Sequence, residues 1–292
     1  EMCGRDWSSD VCSSDLAVIA FLYALFAAAL YFAQRRLMYR PQKEVYSPHK
    51  DKSPQNLLAV QMQTEDGLTL TSWYAKPRKT AAGEYFPTVF YFHGNTGIVA
   101  NAAHKMIALA DAGFGVFMVE YRGYGGNAGK PTEEGLLKDA RAARAFVLND
   151  LGENARLVYY GMSMGTGVAN DLAFVNPPDA FVQEAGFTTF YNAGRVEYPY
   201  MPLPLSLLMR DKFESVKKIK TMTCPLLVLH GAKDATVPVE QAGEIFKAAG
   251  SSKKEIIVYP EGHHVDLYDS GSTDAVLKFL YDVFPDTKEA YE

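Results

Sequence analysis

Residues 159–167 allow few backbone arrangements. Tyr159 and Tyr160 suit the end of an apolar strand, and they lead directly into Gly161-Met162-Ser163-Met164-Gly165. This G-x-S-x-G pattern is typical of a sharp strand-to-helix turn that exposes the serine Oγ. A Cβ on either glycine would clash with the strand or the helix, and the free N–H groups of the helix would point at the serine. Because glycine and serine are also common in ordinary turns, the pattern needs support from the rest of the chain.

The rest of the main domain, residues 56–285, alternates between predicted strands and helices. Such alternation predicts an α/β fold, in which a mostly parallel sheet carries helices on both faces. Alternating side chains on either side of Glu65-Asp66-Gly67 predict an antiparallel hairpin over residues 57–74. The predicted strands are 87–92, 116–120, 157–160, 181–184, 226–229 and 255–259, and the predicted helices are 99–111, 132–149, 239–249 and 273–284.

The N-terminal region is predicted to hold a membrane anchor. Residues 16–33 carry no charge, and as a helix they would span about 27 Å, enough to cross a bilayer. We therefore assign residues 16–34 to a transmembrane helix and residues 35–55, which are basic and contain prolines, to a linker. Basic residues after the span favour a cytoplasmic main domain; a cleaved secretory signal is the alternative. Residues 1–15 repeat Ser-Ser-Asp and are assigned to a non-native leader.

Two segments fall outside the alternation. Residues 187–212 are rich in aromatic residues and leucine and contain prolines. They form either a cap-like insertion beside the site or a packed connecting helix, and both interpretations stay open. Residues 286–292 form a tail. The net charge of −5 does not favour nucleic-acid binding, and three cysteines do not favour a disulfide framework.

A serine hydroxyl is a poor nucleophile unless an imidazole accepts its proton and a carboxylate orients that imidazole. On a strand-to-helix turn the partners follow in the order Ser, Asp or Glu, His. Asp234 follows the predicted strand 226–229, at the sheet edge where catalytic groups gather. The backbone N–H groups of Asn95, in the loop after strand 87–92, and of Met164 are the expected donors to an oxyanion.

Two adjacent histidines, His263 and His264, follow the last predicted strand, and either could serve as the base. With Asp266 they could also suggest a metal site. However, no third or fourth ligand stands at a recognisable spacing, so we expect no metal and no other cofactor.

Several motifs of this chain occur together in one known group of proteins. They are Gln34-Arg35-Arg36-Leu37-Met38-Tyr39-Arg40-Pro41, His93-Gly94-Asn95, Tyr121-Arg122-Gly123-Tyr124-Gly125, the serine motif, His230-Gly231-Ala232-Lys233-Asp234 and Gly262-His263-His264-Val265-Asp266-Leu267-Tyr268. Together they resemble the α/β-hydrolase superfamily, and within it the membrane-anchored Bem46-like branch.

The resemblance implies that Ser163 is the nucleophile and Asp234 the orienting acid. Counting back from Asp266 implies that His264 is the base, whereas counting from Gly262 implies His263, and we favour His264. The chain departs from the family at Glu120, where aspartate is usual, and we expect no effect on the chemistry.

The sequence thus predicts a membrane-anchored serine hydrolase of the α/β-hydrolase fold. Its expected substrates are carboxylic esters, including lysophospholipids or other acyl lipids, and its other expected partner is the membrane. Thioesters or peptides are alternative substrates for the same groups. A non-catalytic membrane scaffold is the alternative from another class, and the oligomeric state is left open.

Overall fold

A computed structural model describes residues 13–48, 57–197 and 209–288, with side chains described from residue 16 onward. Within these ranges eight strands form one sheet, in the order β1-β2-β4-β3-β5-β6-β7-β8. In chain order the strands are β1 (Leu58–Gln63), β2 (Thr69–Ala75), β3 (Thr88–Phe92), β4 (Gly115–Val119), β5 (Leu157–Met162), β6 (Ala180–Glu184), β7 (Leu226–Gly231) and β8 (Lys254–Tyr259).

The sheet is antiparallel at one side and parallel elsewhere. β1 and β2 form an antiparallel hairpin, and β2 pairs antiparallel with β4. All neighbouring strands from β4 through β8 pair in parallel. Both the predicted hairpin and the predicted mostly parallel sheet are confirmed. Because parallel strands end at the same edge, the loops after β3, β5, β7 and β8 meet there.

Helices cover both faces of the sheet. The helices in the described ranges are α1 (Ser13–Met38), α2 (Ala103–Asp111), α3 (Glu133–Leu151), α4 (Met164–Val175), α5 (Phe190–Glu197), α6 (Ser215–Lys218), α7 (Val239–Ala248) and α8 (Ser272–Val283). Phe90 and Phe92 of β3 face a core formed with α3, α4 and α7. Val89 and Tyr91 of the same strand face a second core formed with α2 and α8. This alternation is why the central strands are apolar on both sides.

α1 contains a candidate membrane span, Leu16–Met38, which is long and apolar enough to cross a bilayer. Its large apolar side chains are exposed, as at Phe21 and Phe32. The helix continues past the predicted anchor 16–34 as far as Met38, and Tyr39 is buried against the main domain. The first part of the predicted linker 35–55 therefore packs on the domain, because burying Tyr39 and part of Met38 in its core removes apolar surface from water.

Four of the sequence assignments reach beyond the described ranges, among them the linker at residues 49–55 and the tail at residues 289–292. Most of the predicted leader 1–15 and residues 198–208 of the predicted cap lie outside them. Within 187–212 the structure describes α5, which is followed after the gap by the segment that leads into α6. Phe187 and Phe213, one at each end of this region, are buried with the α4 core.

Candidate active site

Ser163 lies on a tight turn between β5 and α4. Its φ is 52°, in the left-handed region that side-chain-bearing residues rarely adopt. A Cβ on Gly161 would lie 2.5 Å from Thr166 Cα, and a Cβ on Gly165 would lie 1.9 Å from the Phe92 carbonyl oxygen. The first glycine therefore lets the helix start close to β5, and the second lets it pass the end of β3. The steric reason given for the glycines of the motif is thus met at both positions.

Three side chains from three loops form a hydrogen-bonded chain at this turn. Ser163 Oγ lies 2.9 Å from His264 Nε2, and His264 Nδ1 lies 2.7 Å from Asp234 Oδ2. The serine follows β5, the aspartate follows β7 and the histidine follows β8, so the parallel sheet brings their loops to one edge. Such a chain can pass the serine proton to the imidazole while the carboxylate stabilises the imidazolium.

The Asp234 carboxylate is fixed by further hydrogen bonds. Its Oδ1 accepts from the backbone N–H groups of Thr236 and Val237, both at 2.8 Å. Its Oδ2 also lies 3.3 Å from Nε2 of the buried His230. Burial alone would raise the pKa of Asp234, but the contacts with His230, His264 and the backbone hold it well below its usual value. The carboxylate is therefore ionised at neutral pH.

The two candidate histidines point to different partners. His264 is partly buried between Ser163 and Asp234. His263 is exposed, and its Nδ1 lies 2.8 Å from Asp266 Oδ2. The structure therefore brings His264, and not His263, to the serine.

The loop after β3 faces the serine from the other side. A Cβ on Gly94 would lie 3.4 Å from Ser163 Cβ, so this backbone passes close to the hydroxyl. The next residue, Asn95, has its carbonyl oxygen bound by Tyr124 Oη at 3.0 Å. Its backbone N–H has no acceptor in the described part of the chain. Met164 is the first residue of α4, where an N–H group has no partner within its own helix.

Comparisons with known proteins identify the family of this chain. Residues 83–193 and 205–271, more than half of the chain, match the family described as Hydrolase_4, serine aminopeptidase, S33. The uncharacterized protein Rv2307c of Mycobacterium tuberculosis is 34% identical over 268 residues, which cover 91% of this chain and 93% of that protein. Human protein ABHD12B is 31% identical over 70% of this chain and 67% of its own length.

This chain belongs to the α/β-hydrolase family. Protein bem46 of Schizosaccharomyces pombe is 30% identical over 71% of the chain and 70% of that protein, which agrees with the resemblance to the Bem46-like branch. Solved structures share the fold. An esterase of Pyrococcus furiosus superposes with a TM-score of 0.68 at 20% identity, covering 85% of this chain and 98% of the esterase. A monoacylglycerol lipase of Paleococcus ferrophilus gives a TM-score of 0.56 at 17% identity, covering 73% and 100%.

Beneath the serine turn of this α/β-hydrolase lies a buried polar cluster that the sequence did not suggest. Glu184, at the end of β6, accepts the Ser163 backbone N–H on its carbonyl oxygen at 2.9 Å. Its carboxylate lies 2.6 Å from Lys105 Nζ and accepts a hydrogen bond from Tyr160 Oη. Lys105 is itself only 4% exposed, although it lies on an otherwise apolar face of α2. A lysine on such a face is the one sequence signal that could have pointed to a buried partner.

Glu120, where aspartate is usual in the family, makes several contacts inside the domain. The Glu120 carboxylate is buried, with Oε1 3.0 Å from His93 Nε2 and Oε2 accepting the Val99 N–H at 3.1 Å. Gly125 packs directly against it, because a Cβ there would lie 2.6 Å from the carboxylate carbon. Arg122 holds the same loop by hydrogen bonds to Asp66 and Asp139. Glu120 thus supports the loops that follow β3 and β4.

The described residues contain no group of three or more histidine, cysteine, aspartate or glutamate side chains that could hold a metal ion. His263 and Asp266 therefore pair with each other without a third ligand. The chemistry available at the serine turn is proton transfer, nucleophilic attack and oxyanion stabilisation by N–H groups.

Proposed function

We propose that this α/β-hydrolase is a membrane-anchored serine hydrolase that cleaves carboxylic esters. The observation that carries the proposal is the chain of hydrogen bonds from Ser163 Oγ through His264 to Asp234. In this proposal Ser163 is the nucleophile on the elbow between β5 and α4. His264 is the general base and acid, and Asp234 fixes the imidazole tautomer.

The reaction follows from these roles. Ser163 Oγ attacks the acyl carbon while its proton moves to His264 Nε2, and the N–H groups of Asn95 and Met164 stabilise the oxyanion. The bond to the alcohol then breaks, and the imidazolium of His264 gives that proton to the leaving oxygen. Water attacks the acyl-enzyme with His264 again accepting a proton. The carboxylic acid leaves as the Oγ–acyl bond breaks and Ser163 regains its proton.

The expected substrates are lipid esters, such as lysophospholipids or other acyl lipids. Two observations support this choice. The candidate span Leu16–Met38 would keep the domain at a bilayer, and two solved structures that share its fold are named an esterase and a monoacylglycerol lipase. Thioesters are open to attack by the same groups.

Peptide bonds are the second candidate substrate, because the family's description names a serine aminopeptidase. An acylaminoacyl peptidase also shares the fold, with a TM-score of 0.61 at 18% identity. An aminopeptidase needs a negatively charged group that binds the free N-terminus of the peptide. A panel containing acyl esters, acyl thioesters and aminoacyl amides separates the three activities.

Labelling with a fluorophosphonate probe tests the nucleophile. We expect the intact protein to label, and Ser163→Ala and His264→Ala to lower the labelling rate on the order of 10⁴-fold or more. His263→Ala is the matched control, because it removes the neighbouring imidazole without touching Ser163, and it should label at the rate of the intact protein. No labelling of the folded, intact protein would favour the non-catalytic scaffold. Equal loss in both histidine variants would refute the assignment of the base.

A further inference from the structure

The end of α1 is attached to the main domain close to the serine turn. Arg35 binds Asp211 through two hydrogen bonds, Nε to Oδ2 at 2.7 Å and Nη2 to Oδ1 at 2.9 Å. The Asp211 side chain is only 3% exposed, so the two hydrogen bonds form a bidentate ion pair that is largely shielded from water. Gln34 adds a second contact, because its Oε1 accepts the Arg210 backbone N–H at 2.7 Å.

The last turn of α1 also contacts the loop that faces Ser163. The side-chain amide of Asn95 donates to the Met38 carbonyl oxygen at 2.8 Å. Tyr124 Oη binds the Asn95 carbonyl oxygen. The side-chain NH₂ group of Asn95 is therefore held by the end of α1, and its backbone carbonyl is held by the loop after β4.

The residues after α1 continue along that same loop. Tyr39 is 3% exposed and belongs to the main core. The Gln42 carbonyl oxygen accepts the Gly125 N–H at 2.8 Å. A Cβ on Gly126 would lie 2.5 Å from Val45 Cγ2, so the segment lies directly on the glycines of the loop. Residues 34–42, which we term the docking segment, comprise the end of the candidate span and the residues that follow it, and they contact two loops of the site.

We propose that the docking segment is a positioning element of the active site, which holds the Asn95 N–H in place through the Met38–Asn95 hydrogen bond and the Arg35–Asp211 pair. The proposal rests on the proposed function, because it assigns that N–H to the oxyanion. Without these contacts the Asn95 peptide can turn away from Ser163. Small displacements of such groups cost rate far more than they cost substrate affinity.

Arg35→Gln and its neighbour Arg36→Gln form a matched pair of variants. Both remove one positive charge, but Arg36 is exposed and makes no ion pair with any residue that the structure describes, whereas Arg35 binds Asp211. The full-length proteins are purified in detergent micelles and assayed with a short-chain nitrophenyl ester, and rates are normalised to sites titrated with fluorophosphonate. For Arg35→Gln we expect kcat to fall about tenfold with KM within about twofold. For Arg36→Gln both should be unchanged, and Arg35→Lys should lie between, because lysine keeps the charge but loses the second hydrogen bond.

Asn95→Ala provides an independent test of the same connection. It keeps the backbone N–H but removes the amide that binds Met38, and kcat should again fall about tenfold. In the double variant Arg35→Gln/Asn95→Ala we expect no further fall, because both changes release the same contact. Effects that multiply, or equal kcat values for Arg35→Gln and Arg36→Gln, would overturn the proposal.

Amide hydrogen exchange of residues 93–98 provides a readout that does not depend on activity. We expect faster exchange of this loop in Arg35→Gln than in Arg36→Gln, with the β5 amides unchanged in both. If the intact protein fails to label with fluorophosphonate, the proposed function fails while the exchange result still decides whether the segment holds the loop. If the intact protein is active, and Arg35→Gln and Arg36→Gln both match it in kcat and in amide exchange, only the positioning role fails.

Discussion

The two oxygens of the Asp234 carboxylate have different tasks. Oδ1 binds the backbone N–H groups of Thr236 and Val237 and so shapes the loop after β7, whereas Oδ2 binds His264. The side-chain amide of an asparagine has one oxygen, which can accept the backbone N–H groups as Oδ1 does. Its NH₂ group cannot replace Oδ2, because it is a donor and the N–H of His264 needs an acceptor. A substitution at this one residue can therefore separate folding of the loop from orientation of the imidazole.

Asp234→Asn is expected to lower kcat on the order of 10⁴-fold, because the amide favours the wrong tautomer of His264. Far-ultraviolet circular dichroism and kcat with a soluble ester are the two measurements. The spectrum should stay that of the intact protein. A loss of only a few fold would mean that Asp234 does not orient the base.

The same variant should also change how stability depends on pH. The pKa of Asp234 is lowered in the folded protein, so its ionised form stabilises the fold above the usual carboxyl pKa of about 4, and that contribution is lost as the pH falls below it. The intact protein should exceed Asp234→Asn in free energy of unfolding by a few kcal/mol at pH 7. The difference should shrink between about pH 5 and pH 2 in urea titrations. A difference that does not vary with pH would show that the cost of burying the carboxylate cancels the stabilisation by its contacts.

The sequence predicts some residues of the candidate site and not others. The serine motif, the loop of Asp234 and the histidine pair are local patterns, and the three loops that contain them meet at one sheet edge. His263 and His264 could not be separated by pattern, because adjacent residues share a motif and only the path of the loop decides which one faces Ser163. Lys105 and Glu184 are 79 positions apart and belong to no motif, so only the folded chain pairs them.

The strand–turn–helix unit around Ser163 requires glycine at position 165, because there is no room for a side chain. Gly165→Ala should lower the free energy of unfolding by about 3 kcal/mol or more, since its Cβ would overlap the Phe92 carbonyl. Gly243→Ala, the control, lies in α7 with nothing within 4 Å of the added Cβ. It should raise the free energy of unfolding by about 0.5–1 kcal/mol, because alanine favours helix. Chemical denaturation measures both changes, and equal destabilisation by the two would refute the steric explanation.

At the level of helices and strands the sequence was most informative where the pattern was longest. The hairpin and the parallel strands were predicted because alternation and apolar runs reflect burial directly. The packing of residues 35–42 was not predicted, because a basic segment with prolines has the composition of a tether. Its attachment comes from single contacts, such as Met38 with Asn95 and Gln42 with Gly125, which leave no periodic trace in the sequence.

The molecule as a whole is expected to remain in the membrane fraction through α1. Full-length protein should stay with the membranes after an alkaline carbonate wash, because the large apolar side chains along most of the candidate span, such as Phe21 and Phe32, are exposed. A form that begins at Gln34 keeps the docking segment and should appear in the soluble fraction. Release of the full-length protein by carbonate would contradict a spanning helix.

Helix α1 runs unbroken to Met38, and the next residue, Tyr39, is already buried in the domain, so no flexible linker separates the candidate span from the domain. A helix longer than the local hydrocarbon thickness tilts to fit it. If α1 crosses a bilayer as proposed, the domain would tilt with it, because the docking segment attaches the helix to the domain. In that case the thickness of the surrounding bilayer would set the orientation of the serine turn relative to the lipid headgroups, and membranes of different composition would present their lipids to the same site at different angles.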